Sequence, residues 1–145
     1  QALVSLPVIL MVTPLATWRQ AHFGTAGNSG SAADTADPDH DGLINLVEYA
    51  FNSDPLAASP YPLSFALTNG SLTVTFKRAH LAPVDISYLV EVADDLASGV
   101  WNSGPGYTTQ AVTDNLDGTE TVVVTDNASV ISAAAHYLRV RISVQ

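Results

Sequence analysis

Residues 37–48 read DPDHDGLINLVE, and the oxygen-bearing side chains of this stretch fall at fixed intervals. Aspartates occupy the first, third and fifth positions, glycine occupies the sixth, and glutamate occupies the twelfth. In loops with this pattern, alternate side chains converge on one calcium ion and the glycine permits a sharp turn. Because every ligand would be a hard oxygen, the pattern favours calcium over zinc or copper.

Six residues of the stretch are predicted to hold the ion. Side-chain oxygens come from the first, third and fifth positions, and the seventh position offers its backbone carbonyl. The ninth contributes directly or through water, and the twelfth closes the sphere with both carboxylate oxygens. In this sequence the six ligands are Asp37, Asp39, Asp41, Leu43, Asn45 and Glu48. The competing interpretation is an acidic turn that is simply solvated.

Three further residues that could bind a cation lie in or beside the loop. His40, at the fourth position, is expected to point away from the ion. Asp34 and Asp54 flank the loop. They are expected to be solvated surface, and the alternative is that they belong to a second, weaker cation site.

A helix is predicted before the loop. Residues Thr17 to Gln20 fit a capping box, and Gly24 is a natural helix stop. Trp18 is expected to face the core. Residues 25–36 are small and polar, so we expect them to form a loop.

A second, shorter helix is predicted to leave the loop. Ile44, Val47 and Phe51 recur at helical spacing, which indicates a helix over residues 45–51 with one apolar face. The residues at 52–55, Asn-Ser-Asp-Pro, are expected to end it. Together the two helices frame the calcium loop.

The first fourteen residues, QALVSLPVILMVTP, carry no charge and are almost wholly apolar. They are too few to span a bilayer as a helix, and Pro7 interrupts them. Valine and isoleucine favour an extended strand, which would need cover on both faces. The strand either belongs to the chain's own sheet or is donated to a neighbouring molecule by β-augmentation. A remnant of a signal peptide is a third interpretation.

From residue 61 the apolar period changes to two, and turn signals such as Asn69-Gly70 and Asp117-Gly118 separate the segments. The pattern predicts six strands, at residues 63–67, 72–76, 86–92, 107–113, 120–125 and 138–144. With the N-terminal strand, this indicates a mainly β chain folded as an immunoglobulin-like antiparallel β-sandwich. We therefore expect an extended strand (1–14), a helical calcium-binding segment (15–58) and a sandwich domain (59–145).

The bulk composition excludes several partners. The chain has 145 residues, a formal net charge of −9 and only five lysines and arginines. Such a chain has no basic face for nucleic acid and is unpromising for an anionic membrane surface. It contains no cysteine, hence neither disulfides nor thiolate chemistry.

Catalytic patterns are absent from the sequence. It contains no G-x-S-x-G, no H-E-x-x-H and no phosphate-binding glycine loop. The four histidines are expected to be solvated or satisfied, and Asp94 and Asp95 are expected to form a turn. The basic residues of the strand region are expected on a solvated sheet face; they are Lys77, Arg78, Arg139 and Arg141. The chain is therefore not expected to be an enzyme.

The stretch WRQAHFG…ADPDHDGLINLVEYAFNSDP resembles the bacterial thrombospondin type 3-like calcium repeats, which are similar in pattern to dockerin and EF-hand loops. YLVEVADDLASGVW and the closing HYLRVRISV look like the β-sandwich that often follows such repeats in large secreted or surface proteins. The resemblance covers residues 16–145 and implies a calcium-stabilised protein outside the cell or on its surface. The family pattern usually has glycine where this chain has His40, and no large domain precedes the repeat in this sequence.

Two functions of different classes are compatible with these features. The first is a non-catalytic extracellular structural protein, stabilised by calcium and polymerising into a filament through its N-terminal strand. The second is a carbohydrate-binding or cell-surface anchoring module of a larger secreted protein. For the second, Trp101 and Tyr107 beside residues 104–106 could form a sugar-stacking platform, with a core tryptophan as the competing interpretation.

Overall fold

A computed structural model describes residues 13–80, 83, 85–130 and 135–145, and this part of the chain is mainly β. The predicted N-terminal strand lies outside the described residues, except for its last two positions. The helices are α1 (Pro14–Phe23), a 3₁₀ turn (Gly30–Ala32) and α2 (Asn45–Phe51). The strands are β1 (Leu63–Thr68), β2 (Ser71–Ala79), β3 (Ile86–Ala93), β4 (Asn102–Ser103), β5 (Thr108–Asp114), β6 (Thr119–Asp126) and β7 (Tyr137–Val144). Within these residues, no helix is long and apolar enough to cross a membrane.

The strands form two antiparallel sheets, as expected for a β-sandwich. One sheet has the order β1-β2-β6-β5, and the other has the order β4-β3-β7. Each of the six predicted strands is present. The additional strand, β4, has two residues and is too short to show an alternating pattern. The Asn69-Gly70 turn is confirmed: both residues have positive φ, 52° and 82°, as a two-residue hairpin requires.

The core lies between the two sheets, where alternate residues point inward. Val74 and Phe76 of β2 meet Val90 of β3 in one apolar cluster. The rings of Phe76 and Tyr88 stack across the sheets with centroids 6.0 Å apart. Close packing of these side chains removes apolar surface from water and provides the main drive for folding.

The first helix starts four residues earlier than predicted. Thr13, and not Thr17, is the N-cap, because its hydroxyl oxygen accepts a hydrogen bond from the Ala16 amide at 3.2 Å. Pro14 then takes the first helical position, where its missing N–H costs nothing. The predicted stop at Gly24 is confirmed by its left-handed φ of 71°.

The second helix has the predicted bounds. It covers Asn45–Phe51 and ends at Asn52, which adopts the left-handed conformation with φ 57°. Residues 25–36 were predicted to form a loop, but they include the 3₁₀ turn at Gly30–Ala32. A short turn of this kind leaves no periodic signal in the sequence.

The helical segment and the sandwich share one core. Leu15 of α1 and Tyr49, Ala50 and Phe51 of α2 belong to the same apolar cluster as the inner-facing strand residues. The ring of Trp18 is half-buried and lies 5.5 Å from that of Tyr49, so it packs against the core as expected. The loop between the helices is thereby held at one end of the sandwich.

Candidate metal centre

The predicted loop brings its three aspartates together. Carboxylate oxygens of Asp37, Asp39 and Asp41 lie within 4.8 Å of one another. Gly42 makes the turn that allows this, with φ 93°, a conformation that side chains with a Cβ rarely adopt. Three carboxylates at this separation repel one another unless a cation lies between them.

Backbone amides of the loop fix the orientation of these carboxylates. The Gly42 amide donates to Asp37 Oδ2 at 3.0 Å, and the Asp41 amide donates to Asp39 Oδ1 at 3.2 Å. The second oxygens, Asp37 Oδ1 and Asp39 Oδ2, are buried and have no hydrogen-bond donor. Each aspartate is therefore held by one oxygen while the other is free to bind an ion.

Asp41 differs because both of its oxygens accept hydrogen bonds. Oδ1 accepts from the Leu43 amide at 2.8 Å, and Oδ2 accepts from the Ser59 amide at 2.6 Å. Ser59 lies in the connection that leads to β1. Asp41 thus links the loop to the start of the sandwich.

Glu48 is the most buried acidic residue of the site. Its relative exposure is 0%, and both carboxylate oxygens are buried without a hydrogen-bond donor. Glu48 is not one of the three residues whose oxygens lie within 4.8 Å of one another, but the charges of those aspartates affect its pKa. Burial, and then repulsion from Asp39, Asp41 and Asp37, raises the pKa of Glu48 to about 7.

Asn45 and Leu43 occupy the ninth and seventh positions of the loop. The amide nitrogen of Asn45 donates to the carbonyl oxygens of Ser31 and Ala33, at 2.8 and 2.7 Å. These bonds leave its Oδ1 buried without a donor. The side chain of Leu43 is buried among apolar residues, and only its backbone carbonyl is predicted to serve as a ligand.

These residues fit a calcium ion. Seven buried side-chain atoms lack a hydrogen-bond partner in the described part of the chain, and all except Arg19 Nε and Ser53 Oγ are oxygens of predicted ligands. Buried acceptors without donors destabilise a fold, and they are rare in native structures. A hard divalent cation would satisfy these oxygens and cancel their charge, and it would supply stability rather than reactivity.

The residues around the loop are placed as follows. His40 is exposed and has φ 64°, the conformation for which glycine is favoured. Asp34 is not solvated surface, because it forms an ion pair of 2.5 Å with Arg19 and accepts a hydrogen bond from Asn28. One oxygen therefore holds α1 through Arg19, and the other holds the following loop through Asn28. Asp54 is largely exposed, as expected.

Three of the four basic residues predicted on a solvated sheet face are exposed, Lys77, Arg139 and Arg141, but both of these arginines pair with a carboxylate. On the outer face of the three-stranded sheet, Glu91 is buried and lies 2.8 Å from Arg139 and 3.4 Å from Arg141. The Arg139 guanidinium stacks 3.9 Å from the ring centroid of Trp101. Trp101 is therefore not part of the core cluster, and Arg139 covers one face of its ring. Of the four basic residues, only Lys77 is exposed without an ion pair in the described part of the chain.

A second polar cluster, at the end of the sandwich, was not predicted from the sequence. The side chain of His136 is largely buried and lies 2.8 Å from Asp126 and 3.0 Å from Asp94. Asp94 is therefore more than a turn residue, whereas Asp95 does form a turn by accepting from the Ala97 amide. The available signal was the position of Asp126 on the inward phase of β6, among buried valines.

A comparison with known proteins gives no relative. No family model, no curated protein and no solved structure matches the chain.

Proposed function

We propose that the chain is a non-catalytic structural protein of the extracellular space, in which calcium fastens a helical segment to an immunoglobulin-like β-sandwich. The observation that carries this proposal is the group of buried, unpartnered oxygens contributed by Asp37, Asp39, Asn45 and Glu48. The resemblance of residues 16–145 to calcium repeats followed by a sandwich supports the same function. Extracellular sites of this kind bind calcium with dissociation constants of roughly 10⁻⁴–10⁻³ M, which suits a calcium-rich exterior.

The position of the loop explains how an ion would stabilise the whole fold. Asp41 bonds to the lead-in of β1 through Ser59, and Glu48 belongs to α2, which packs on β2. Asn45 holds the 3₁₀ turn through two carbonyl oxygens. An ion bound among these side chains would join three parts of the chain at one point. Binding to the folded state alone stabilises it by mass action.

Thermal unfolding with and without calcium tests the proposal. At a hundredfold excess of calcium over its dissociation constant, linkage stabilises the fold by roughly 2.7 kcal/mol. For a chain of this size, that gain corresponds to a rise in Tm of roughly 5–10 °C. Glu48→Gln and Asp39→Asn should remove most of this rise. Asp54→Asn, at an exposed residue beside the loop, is the matched control and should retain it.

Two outcomes would contradict the proposal. The first is a Tm of the unsubstituted chain that is identical in chelator and in millimolar calcium, when calorimetric titration of the chelated chain also detects no binding. The second is a rise of equal size in the Glu48→Gln and Asp54→Asn variants, which would place the ion elsewhere.

A further inference from the structure

β1 and β7 are edge strands of the two sheets, and Leu63 of β1 lines one cavity with Val140 and Ile142 of β7, so the two strands border the same apolar edge of the sandwich. Its residues continue the inward-facing rows of both sheets, since Phe65 pairs with buried Val74 and Val140 pairs with buried Val90. Phe65, Leu67 and Val144 are nevertheless 54%, 60% and 48% exposed. We call this surface the β1–β7 trough; it is formed by Phe65, Leu67, Leu138, Val140, Ile142 and Val144.

The trough is open because each of its strands has a free edge. Among the described strands, β1 pairs only with β2, and β7 pairs only with β3. At the calcium-loop end, Leu43 and Val47 join Val140 and Ile142 around a cavity of about 360 Å³. A long apolar edge of this kind is a template for another strand, and stable proteins usually cover or charge it.

The opposite edge of the sandwich has a different character. There the inward-facing row of β5 contains Thr108, Gln110 and Asp114, with Val112 as its apolar member. Water can hydrogen-bond to the polar side chains of that row, so they can remain exposed. Of these two edges, the β1–β7 trough is therefore the one whose apolar surface favours a covering strand.

The sequence supplies a segment of matching chemistry in residues 1–12. In an extended conformation, its even positions form one uniformly apolar row, whereas Ser5 and Pro7 fall in the other row. The even positions are Ala2, Val4, Leu6, Val8, Leu10 and Val12. Twelve extended residues reach about 40 Å, which exceeds the roughly 26 Å of an eight-residue strand such as β7. Pro7 is tolerated in an outermost strand, whose far edge is unpaired.

The start of α1 fixes where this segment leaves the fold. The Leu15 amide donates to Asp85 Oδ2 at 2.8 Å, and the Gln145 amide donates to the Asp85 carbonyl at 3.0 Å. Thr13 therefore lies near the Val144 end of β7. Because Thr13 lies at this end, residues 1–12 could pair with β7 of the same chain only as a parallel strand. The same segment from a copy stacked beyond the Tyr137 end would run antiparallel.

We propose that residues 1–12 of a second copy occupy the β1–β7 trough as a strand antiparallel to β7. Every strand pair in the described part of the chain is antiparallel, and such pairs are the more stable kind. Each copy donates a strand from its calcium-bearing end and accepts one along its trough. The contact is heterologous and builds a head-to-tail filament. This inference rests on the proposed structural function and names its partner as a second copy.

Cysteine cross-linking tests the partner and the strand direction, because the chain contains no cysteine of its own. Chains carrying Val4→Cys are mixed with chains carrying either Val144→Cys or Leu138→Cys and are mildly oxidised. The antiparallel donated strand places Val4 near Val144 of the other copy, so the first mixture should form disulfide-linked dimers and the second should not. Mixing with Asp95→Cys, at an exposed turn residue, controls for random collision.

Other cross-linking results would overturn the proposal. Linkage of Val4→Cys to Leu138→Cys within one doubly substituted, monomeric chain would show that the segment covers its own trough. Linkage of the same pair between copies would reverse the strand direction. Absence of any linkage above the Asp95→Cys control would exclude docking at the trough.

The state of association provides a second measurement. Light scattering and electron microscopy should show linear oligomers of the full chain. Deletion of residues 1–12 should give monomers, and so should Leu67→Lys, which changes a side chain that is 60% exposed. Oligomers that persist in both variants, or a full chain that is monomeric, would overturn the proposal. The deletion should leave the calcium-dependent rise in Tm unchanged, so a failure of strand donation is distinguishable from a failure of the calcium role.

Discussion

The hydroxyl of Tyr49 in α2 donates a hydrogen bond of 2.8 Å to Asp85 Oδ1, directly before β3. The other oxygen of Asp85 accepts the Leu15 amide of α1 at 2.8 Å, so one buried carboxylate ties both helices to the sandwich. Burial and then the hydrogen bond to Asp85 raise the pKa of Tyr49 well above its usual range, so its hydroxyl stays a donor at ordinary pH.

Replacement of Asp85 should therefore destabilise the fold strongly. Asp85→Ala leaves the Tyr49 hydroxyl and the Leu15 amide buried without an acceptor, at a cost of about 2–4 kcal/mol in the free energy of unfolding. Tyr49→Phe removes one donor together with one of the bonds, so it should cost only about 1 kcal/mol. Urea unfolding measures both changes. Equal stabilities of the two variants would show that the carboxylate does not join the helices.

The buried carboxylate of Glu48 predicts an unusual pH dependence in the absence of calcium. Its pKa is about 7 in the folded chain and near the ordinary value of 4.5 in the unfolded chain. Between these values the folded state binds more protons than the unfolded state does. The free energy of unfolding should therefore fall as the pH rises from about 4.5 to about 7. The fall attributable to this group is on the order of 3 kcal/mol.

Urea unfolding in chelator at pH 5 and pH 8 measures this effect as the difference between the unsubstituted chain and Glu48→Gln. The variant has no carboxylate to titrate at this position, so it should be the more stable chain at pH 8 and should lose its advantage at pH 5. Parallel pH dependences of the two chains would contradict the assignment. Saturating calcium should weaken the dependence, because the ion favours the ionised carboxylate.

The ion pair between Arg19 and Asp34 predicts a separate loss of stability in the helical segment. The side chain of Arg19 is only 9% exposed, and that of Asp34 is 19% exposed. Arg19→Met leaves a largely buried carboxylate without its cation, and breaking a buried pair in this way costs about 3–5 kcal/mol. Unfolding by urea measures the loss. The double variant Arg19→Met/Asp34→Asn should regain part of this stability, because it carries no buried charge at these two positions and Asn28 can still donate to the side-chain oxygen at position 34. If the double variant is no more stable than Arg19→Met, the unpaired charge is not the cause of the loss.

Features encoded by neighbouring residues could be predicted from the sequence. The bounds of α2, the stop at Gly24 and the Asn69-Gly70 turn all follow from local patterns, and the structure confirms them. The convergence of the loop aspartates is also a local property, since Gly42 and the intervening backbone set it. Local patterns work here because each feature is completed within about a dozen residues.

Contacts between distant strands could not be predicted in this way. The order β1-β2-β6-β5 places Arg78 opposite Glu120, 42 residues later, and β3 meets β7 so that Glu91 faces Arg139. A single sequence contains no direct sign of which strands are neighbours. Glu120 and Asp126 lie on the inward phase of their strand, which requires buried partners for them but does not identify those partners.

The pair formed by Arg78 and Glu120 predicts strong energetic coupling inside the sandwich. Arg78 Nε donates to Glu120 Oε1 at 2.6 Å, and the guanidinium lies 4.9 Å from the ring centroid of Tyr88, whose pKa burial raises to about 12. Glu120→Leu leaves the largely buried guanidinium of Arg78 without its carboxylate. Arg78→Met leaves the Glu120 carboxylate with His80, 3.6 Å away, as its remaining ion-pair partner among the described residues. Each single change should cost about 3–5 kcal/mol. The double variant should cost far less than the sum, because apolar side chains of similar volume can replace a buried pair. Urea unfolding of the four chains gives the coupling energy, and strictly additive losses would show that the two side chains act independently.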